Sequence, residues 1–563
     1  MLAFVRALGP LGAPVECGVL RCLGVSSRDD WGLPVLRLPA TEGASLGYAG
    51  FATSQPTNAT STQPALSPQA ELYRWPRYNP EPPPDNDDET ASVGDLCRKL
   101  RMLVKSTGPS HDRRLDSVAK WITLHVDELD VYAISNVYFS CKIGGYLNKK
   151  LLRGLVKRVV GDDLFDEFDA IQTGMTIQSL GVLSRFQASV DGASLGNDTE
   201  SMCVLLASQV VEKEGLNEQV LANVVHGMGN LFRRGKGHSI NPAVEDCMDG
   251  ISEEVCKPER LSQYTDQALA NILYGWGVMG WKKSDKLRAL CGEMLNGGRL
   301  KNFREQELCN TIYALGLLNF DEENVLVSLA VEAVGPHRLR KFREKELCMV
   351  VHGLSQCVQS VDASLKRLLV PVTRKLTQEI KGKERMRAYN TTDLAMLVSS
   401  LGILETEDDE VISMLISRFV ALSRNSYVYK EEFTQVLQAC VRFDYRHKPF
   451  LNLVDDALDG DRIDLNSSFA ITLVLWCLYK LKSLRTPVFM KMCRKLIQLR
   501  RRGEEMSVES CVQLSQVVAH IGTLKGKKVL DEDLHSLFDQ AMSRQKSDST
   551  SFRDMLLQAT RAE

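Results

Sequence analysis

From about residue 115 onward one spacing of apolar residues recurs along the chain. An apolar residue is followed by others three, four, seven and ten positions later. That spacing lays them along one face of a 3.6-residue helix. The clearest copies are LANVVHGMGNL from Leu221, LANILYGWGVM from Leu269, LCNTIYALGLL from Leu308, LCMVVHGLSQC from Leu347 and LAMLVSSLGIL from Leu394. Weaker copies start at Thr173, Phe433, Ile471 and Cys511, and a poor one near Ala133. We call the first residue of each copy its anchor. Successive anchors are 40, 48, 48, 39, 39, 47, 39, 38 and 40 residues apart. The three long intervals follow the copies at 173, 221 and 347 and predict loop insertions there.

A second amphipathic segment follows each copy after a short break. Examples are DEENVLVSLAVEAV after Phe320 and DDEVISMLISRFVAL after Glu407. Acids open several of these segments and bases close some, as the helix dipole favours. No stretch alternates apolar and polar residues well enough to propose a strand. The pattern therefore predicts an all-α fold, an α-solenoid (superhelix) of about ten two-helix repeats of about 39 residues each. Cys97–Val104 and LDSVAKWITLHVDEL are expected to cap its front, and SFRDMLLQAT to close it. Small residues flank the anchor face: Gly227, Gly275, Ala314 and Gly353 six positions on, and Gly229, Gly277, Gly316 and Gly402 eight positions on. A glycine inside a helix costs about 1 kcal/mol against alanine, so its repeated use predicts close approach of neighbouring helices.

The first ninety residues lack this pattern. Residues 1–28 contain Arg6, Arg21 and Arg28 against Glu16 alone, which reads as a mitochondrial transit peptide, with a secretory signal as the alternative. Residues 29–92 read as a disordered linker, rich in Ser, Thr, Gln, Asn and Pro and then in acids. Residues 93–563 hold the repeats with their caps.

Composition narrows the function. The net charge is −2, so any polyanion must be met by a local basic stripe rather than by overall charge. The 15 cysteines are scattered with no CxxC pair, which favours reduced core thiols in an intracellular protein over disulfides or a zinc site. No apolar run reaches the roughly 18 residues of a membrane span. No Gly-rich phosphate loop, HRD-type loop or Ser/His/Asp arrangement can be assembled. The expectation is no catalytic residue, no metal, no cofactor and no small-molecule substrate.

Copies such as LCNTIYALGLL and LANILYGWGVM resemble the L-x-N-x-x-(W/Y)-A-L-x-x-L helix of octotricopeptide repeats. They are similar also to the repeats of FAST-kinase-like and RAP-domain organellar proteins, and to the helical domain of kinetoplastid RNA-editing substrate-binding complex proteins. The resemblance covers about residues 115–530. It implies a mitochondrial-matrix solenoid that binds single-stranded RNA and acts in transcript processing, stability, editing or translation, with protein partners in an organellar ribonucleoprotein complex. Some similar proteins are structural subunits of organellar ribosomes, so the alternative is a scaffold in such an assembly. No β-rich RAP module is seen before Glu563, and no nuclease is expected.

Two columns of the repeat are candidate contacts. Five positions after the anchor stand His226, Tyr274, Tyr313 and His352, with Gln178, Ser399, Gln438, Trp476 and Gln516 in the outlying copies. Two positions after it stand Asn223, Asn271 and Asn310. Aromatic and amide side chains there either stack on bases and read their edges or pack between repeats. For phosphates, Arg299, Lys301 and Arg304 recur one repeat later as Arg338, Arg340, Lys341 and Arg343, which predicts a stripe. Further basic clusters are Lys149, Lys150, Arg153, Lys157 and Arg158, and Lys491, Arg494, Lys495, Arg500, Arg501 and Arg502. These suit phosphate, an acidic partner or a solvated helix face.

Overall fold

The computed structural model describes residues 92–517, apart from 108–112, 192–194, 234–239, 361–362, 425–429 and six positions between 464 and 515. The transit-peptide and linker readings, and the closing helix near residue 555, lie outside these residues. The described chain is all-α, with no strand. Its helices are α1 (Val93–Thr107), α2 (Arg113–Leu124), α3 (Val131–Gly144), α4 (Lys149–Gly161), α5 (Ala170–Asp191), α6 (Asn197–Gln209), α7 (Glu218–Leu231), α8 (Pro242–Val255), α9 (Pro258–Leu261), α10 (Asp266–Met279) and α11 (Ser284–Leu295). They continue with α12 (Glu305–Leu317), α13 (Glu323–Ala333), α14 (Glu344–Ser360), α15 (Ala363–Ile380), α16 (Lys383–Ala388), α17 (Thr391–Ile403), α18 (Asp409–Ser423), α19 (Lys430–Arg442), α20 (Lys448–Asp459), α21 (Ser468–Lys480) and α22 (Thr486–Arg501).

Contacts divide these helices into an N-terminal unit up to Trp281 and a C-terminal unit from Lys282. Each is a stack of helix hairpins, the α-solenoid construction expected. In the N-terminal unit the motif helices form one row, α1 on α3, α3 on α5, α5 on α7 and α7 on α10. The second helices form another, α2 on α4, α4 on α6 and α6 on α8. The expected front cap, α1 and α2, is thus a hairpin in register with both rows. In the C-terminal unit the motif row is α12, α14, α17, α19 and α21, and α11, α13 and α15 stack as second helices.

The start of each motif helix explains the repeated approach FREQEL and FREKEL. Arg304 is the N-cap, and its N–H donates to the Glu307 carboxylate (2.7 Å); Arg343 N–H does the same to Glu346 (2.8 Å). The buried aromatic before the cap and the anchor Leu four residues after it have the spacing of a hydrophobic staple. Phe303, Phe342, Tyr389 and Tyr264 fill that position and are all at most 2 % exposed. Anchors Leu221, Leu269, Leu308, Leu347 and Leu394 are wholly buried, each contributing about 1.5–3 kcal/mol of transfer free energy.

The end of the helix is equally regular. Eleven positions after the anchor the chain turns left-handed, at Gly280, Asn319, Glu405, Asp444 and Lys482, with φ between 48° and 74°. The next amide then bonds back to the helix: Phe320 N–H to Leu315 O at 3.0 Å, Tyr445 N–H to Cys440 O at 2.9 Å and Ser483 N–H to Leu478 O at 2.9 Å. This is the Schellman closure.

The glycines act as expected. A Cβ on Gly227 would stand 2.5 Å from Ile177 O, one on Gly275 2.4 Å from Val225 O, and one on Gly353 2.6 Å from Ile312 O. Two of the long intervals differ from expectation. After anchor 173 the motif helix itself is long, with 22 residues in α5 against 14 in α7. After anchor 347, α14 and α15 have 17 and 18 residues against 13 and 11 in α12 and α13. Whole added turns keep the apolar stripe in phase, so the extra length is absorbed by helix rather than loop. The interval after 221 does carry a longer connection, between α7 and α8.

Candidate nucleic-acid interface

The column five residues after the anchor links one motif helix to the next. His226 and Tyr274 pack as a tilted pair at 5.8 Å between ring centroids, and Tyr313 and His352 at 5.9 Å. His352 Nδ1 lies 3.2 Å from Ser400 Oγ, and Trp476 Nε1 donates to Gln516 Oε1 at 2.8 Å. His226, Tyr274, Tyr313 and His352 are buried, as is Asn271. Burial holds His226 down at about 3, with the Arg185 and Lys142 charges adding to it, and His352 at about 4. Both rings are neutral at physiological pH. The structure thus places these four rings and Asn271 between repeats. Gln178, Asn223 and Asn310 remain half-exposed. Gln178 Nε2 donates to Asn223 Oδ1 at 2.8 Å, and Gln219 Nε2 to the same oxygen at 3.0 Å.

The basic stripe separates into two kinds of arginine. Arg338 points inward: its guanidinium donates to the carbonyls of Leu300, Lys301 and Phe303 in the preceding loop and pairs with Glu332 at 2.5 Å. Arg385 repeats this on Phe342 O (2.7 Å), Arg340 O (2.9 Å) and Leu339 O (3.4 Å), with Glu379 at 2.7 Å. Arg299 pairs with Glu293 at 2.7 Å, and Arg260 with Glu254 (2.7 Å) and Glu218 (2.8 Å). A planar fork of donors suits adjacent carbonyls in a way an ammonium does not. These arginines stand nine residues before their anchors, as do Arg424, Arg462 and Arg502. That column was the overlooked signal in the sequence. Arg299 and Arg338, proposed above as phosphate contacts, are engaged in it.

The remaining bases of the stripe face solvent. Lys301, Arg304, Arg340, Lys341 and Arg343 are exposed, and the stapled loop of the next repeat adds Lys383 and Arg387, which the sequence reading missed. Because Arg338 and Arg385 each reach into the preceding loop, the loops at 296–304, 334–343 and 381–390 are neighbours in space. They contain one acid between them, Glu384, which pairs with Arg387 at 3.3 Å. The result is a basic edge on the C-terminal unit.

The other clusters are less available or more isolated. Lys491 is tied to Asp461 (2.9 Å) and to the Leu458 and Asp459 carbonyls. Lys149, Lys150, Arg153 and Lys157 lie on the exposed face of α4, while Arg158 pairs with Asp162. Burial pushes the thiols up, those of Cys141, Cys247 and Cys291 to about 12, which leaves them unreactive. Among the described residues no group of three His, Cys, Asp or Glu is placed to hold a metal ion, and no helix is long and apolar enough to cross a membrane.

No family model matches the chain, and no curated protein matches it. Among solved structures it is similar to the pentatricopeptide repeat protein PPR10 in complex with an 18-nucleotide psaJ RNA element, at 12% identity over 82% of this chain and 79% of that one, with a TM-score of 0.25. It is similar as well to a chain of a full-length AP-3 complex in an intermediate open conformation, at 10% identity over 78% and 76%, with a TM-score of 0.23. Overlap this low does not bear on what the chain binds.

Proposed function

We propose that this chain is a helical-repeat protein that binds single-stranded RNA, without catalysis of its own, and that it acts on transcripts within mitochondria. The observation that carries the reading is the basic edge of the C-terminal unit. Three loops, the second and third each locked to the one before by a half-buried arginine, present seven exposed bases with a single acid among them. Rigid placement matters, because a phosphate ladder is held best by cations that need no ordering on binding. The mitochondrial part is supported by the basic, acid-poor residues 1–28.

The test is fluorescence anisotropy of the full chain with a mixed-sequence single-stranded RNA across salt. Affinity is expected to fall steeply, by a factor on the order of 100 or more between about 50 and 200 mM salt. Replacing Lys301, Arg340 and Arg387 together by Gln is expected to flatten the slope of log affinity against log salt by about 2. No binding at low salt, or an unchanged slope in the triple variant, would overturn the reading. Persistent co-sedimentation with a large assembly after RNase treatment would point to a scaffold instead. Location is tested by organelle fractionation of the tagged chain with and without residues 1–28.

A further inference from the structure

We propose that Trp476 of α21, with Lys480 one turn beyond it, is a stacking site for one base of a single strand. It lies on the motif row of the C-terminal unit rather than on the basic loops. The column five residues after the anchor closes wherever two of its rings meet. His226 packs on Tyr274 and Tyr313 on His352, and all four are at most 7 % exposed. The remaining ring of the column, Trp476, has an amide on either side instead. The same position holds Gln438 in the copy before and Gln516 in the copy after. Both are half-exposed, and so is the indole between them. An indole left partly in water forgoes transfer free energy that stacking on a base recovers.

The ring is held as a platform. Trp476 Nε1 donates to Gln516 Oε1 at 2.8 Å, which ties the indole by its edge and fixes its rotation. The Lys480 ammonium stands 5.8 Å from the centroid of the same ring and 5.4 Å from that of Tyr479. Among the described residues no carboxylate pairs with Lys480, and α21 contains no acid of its own. The lysine stem is flexible, so the ammonium can pass from the ring to a phosphate as a base arrives. A nucleotide is a π face joined to a phosphate, and an aromatic platform with a cation at its side matches both parts. Stacking of this kind accepts any base, because every base has such a face.

This rests on the RNA-binding reading for the source of the base, a strand as against a free nucleotide. The test follows tryptophan fluorescence and RNA anisotropy of the full chain together, with an oligouridine RNA and, separately, with uridine monophosphate. The difference between parent and Trp476→Phe isolates the signal of Trp476 from those of the other tryptophans. We expect oligouridine to quench most of that difference signal. Trp476→Ala should weaken RNA binding about tenfold, and Trp476→Phe, which keeps a ring, about twofold or less. Lys480→Gln should flatten the slope of log affinity against log salt by about 1. Thermal melts of each variant confirm that it is folded. An unquenched Trp476 with RNA bound would overturn this site, whatever Trp476→Ala does, and leave the RNA reading standing. Quenching of Trp476 by uridine monophosphate, with no oligouridine bound, would support the site and sink the RNA reading. Quenching by neither probe would overturn the site.

Discussion

Motif helices meet in two ways in this molecule. In the N-terminal unit α5, α7 and α10 touch backbone to backbone. Gly181 faces Gly227, and Gly229 faces Gly275, with room for no Cβ between them. Toward the end of the C-terminal unit, α17, α19 and α21 meet through side chains. The position six after the anchor holds Ser400, Ala439 and Cys477, and Gly402 faces the Phe443 ring and the Arg442 stem rather than backbone. The first mode fixes the helix spacing by main-chain geometry. The second leaves it to side-chain volumes, which can be exchanged. The weaker copies at 433 and 471 are built in the second mode, as is the clear copy at 394, while the weak copy at 173 is built in the first.

The largest expected effect strikes the first mode alone. Gly227→Ala drives a methyl into the Ile177 carbonyl and should cost about 3 kcal/mol or more of stability in the N-terminal unit. Ala439→Gly, at the matching position of α19, should cost about 1 kcal/mol through helix propensity. Urea denaturation of the two variants decides the matter, and equal effects would erase the distinction.

Acid separates the units less sharply. His226 and His352 are held neutral by burial, with folded values of about 3 and 4 against an ordinary 6.5. A depressed histidine takes up its proton more readily when unfolded. Its contribution is therefore complete above pH 6.5 and is lost as pH falls toward the folded value. At about pH 5.5 each should have lost about 1 kcal/mol. His352→Gln should flatten that slope between pH 7 and 5.5 in the C-terminal unit, and His226→Gln in the N-terminal one. A melting temperature with the same pH dependence in variants and parent would contradict this.

The smallest effect concerns the helix ends. The left-handed residue is Gly280 in the N-terminal unit but Asn319, Glu405, Asp444 and Lys482 in the C-terminal unit. Lys482→Gly should relieve the Cβ strain and stabilise by about 0.5–1 kcal/mol, net of the added freedom of the unfolded chain. A loss of stability would show that the lysine side chain holds the turn.

Much of this architecture was legible in the sequence, because its cause is periodic. Leu anchors and flanking glycines mark the buried face and the close approach directly. The left-handed turn eleven residues on was hidden, since four of five residues there are not glycine and the turn is imposed by the carbonyls closing the helix. The lengthened helices were hidden because extra turns preserve the apolar phase. At the candidate site, exposure was the missing quantity. His226 and Tyr274 have the chemistry of a base-stacking column, yet they spend it on each other. Arg338 and Arg340 are alike in composition, and only the fold shows that one holds a loop while the other faces solvent.

The arginine staple has a genetic consequence. From the copy anchored at 269 onward an arginine stands nine residues before each anchor, and in the copies at 347 and 394 it fastens the copy to the loop before. Recombination between copies of equal length, such as those anchored at 269 and 308, would leave an arginine in the same place at the new junction. Arrays of this kind can gain or lose a copy among those that carry the arginine and keep the junction closed, which gives a lineage a way to change the length of the array without redesigning any part.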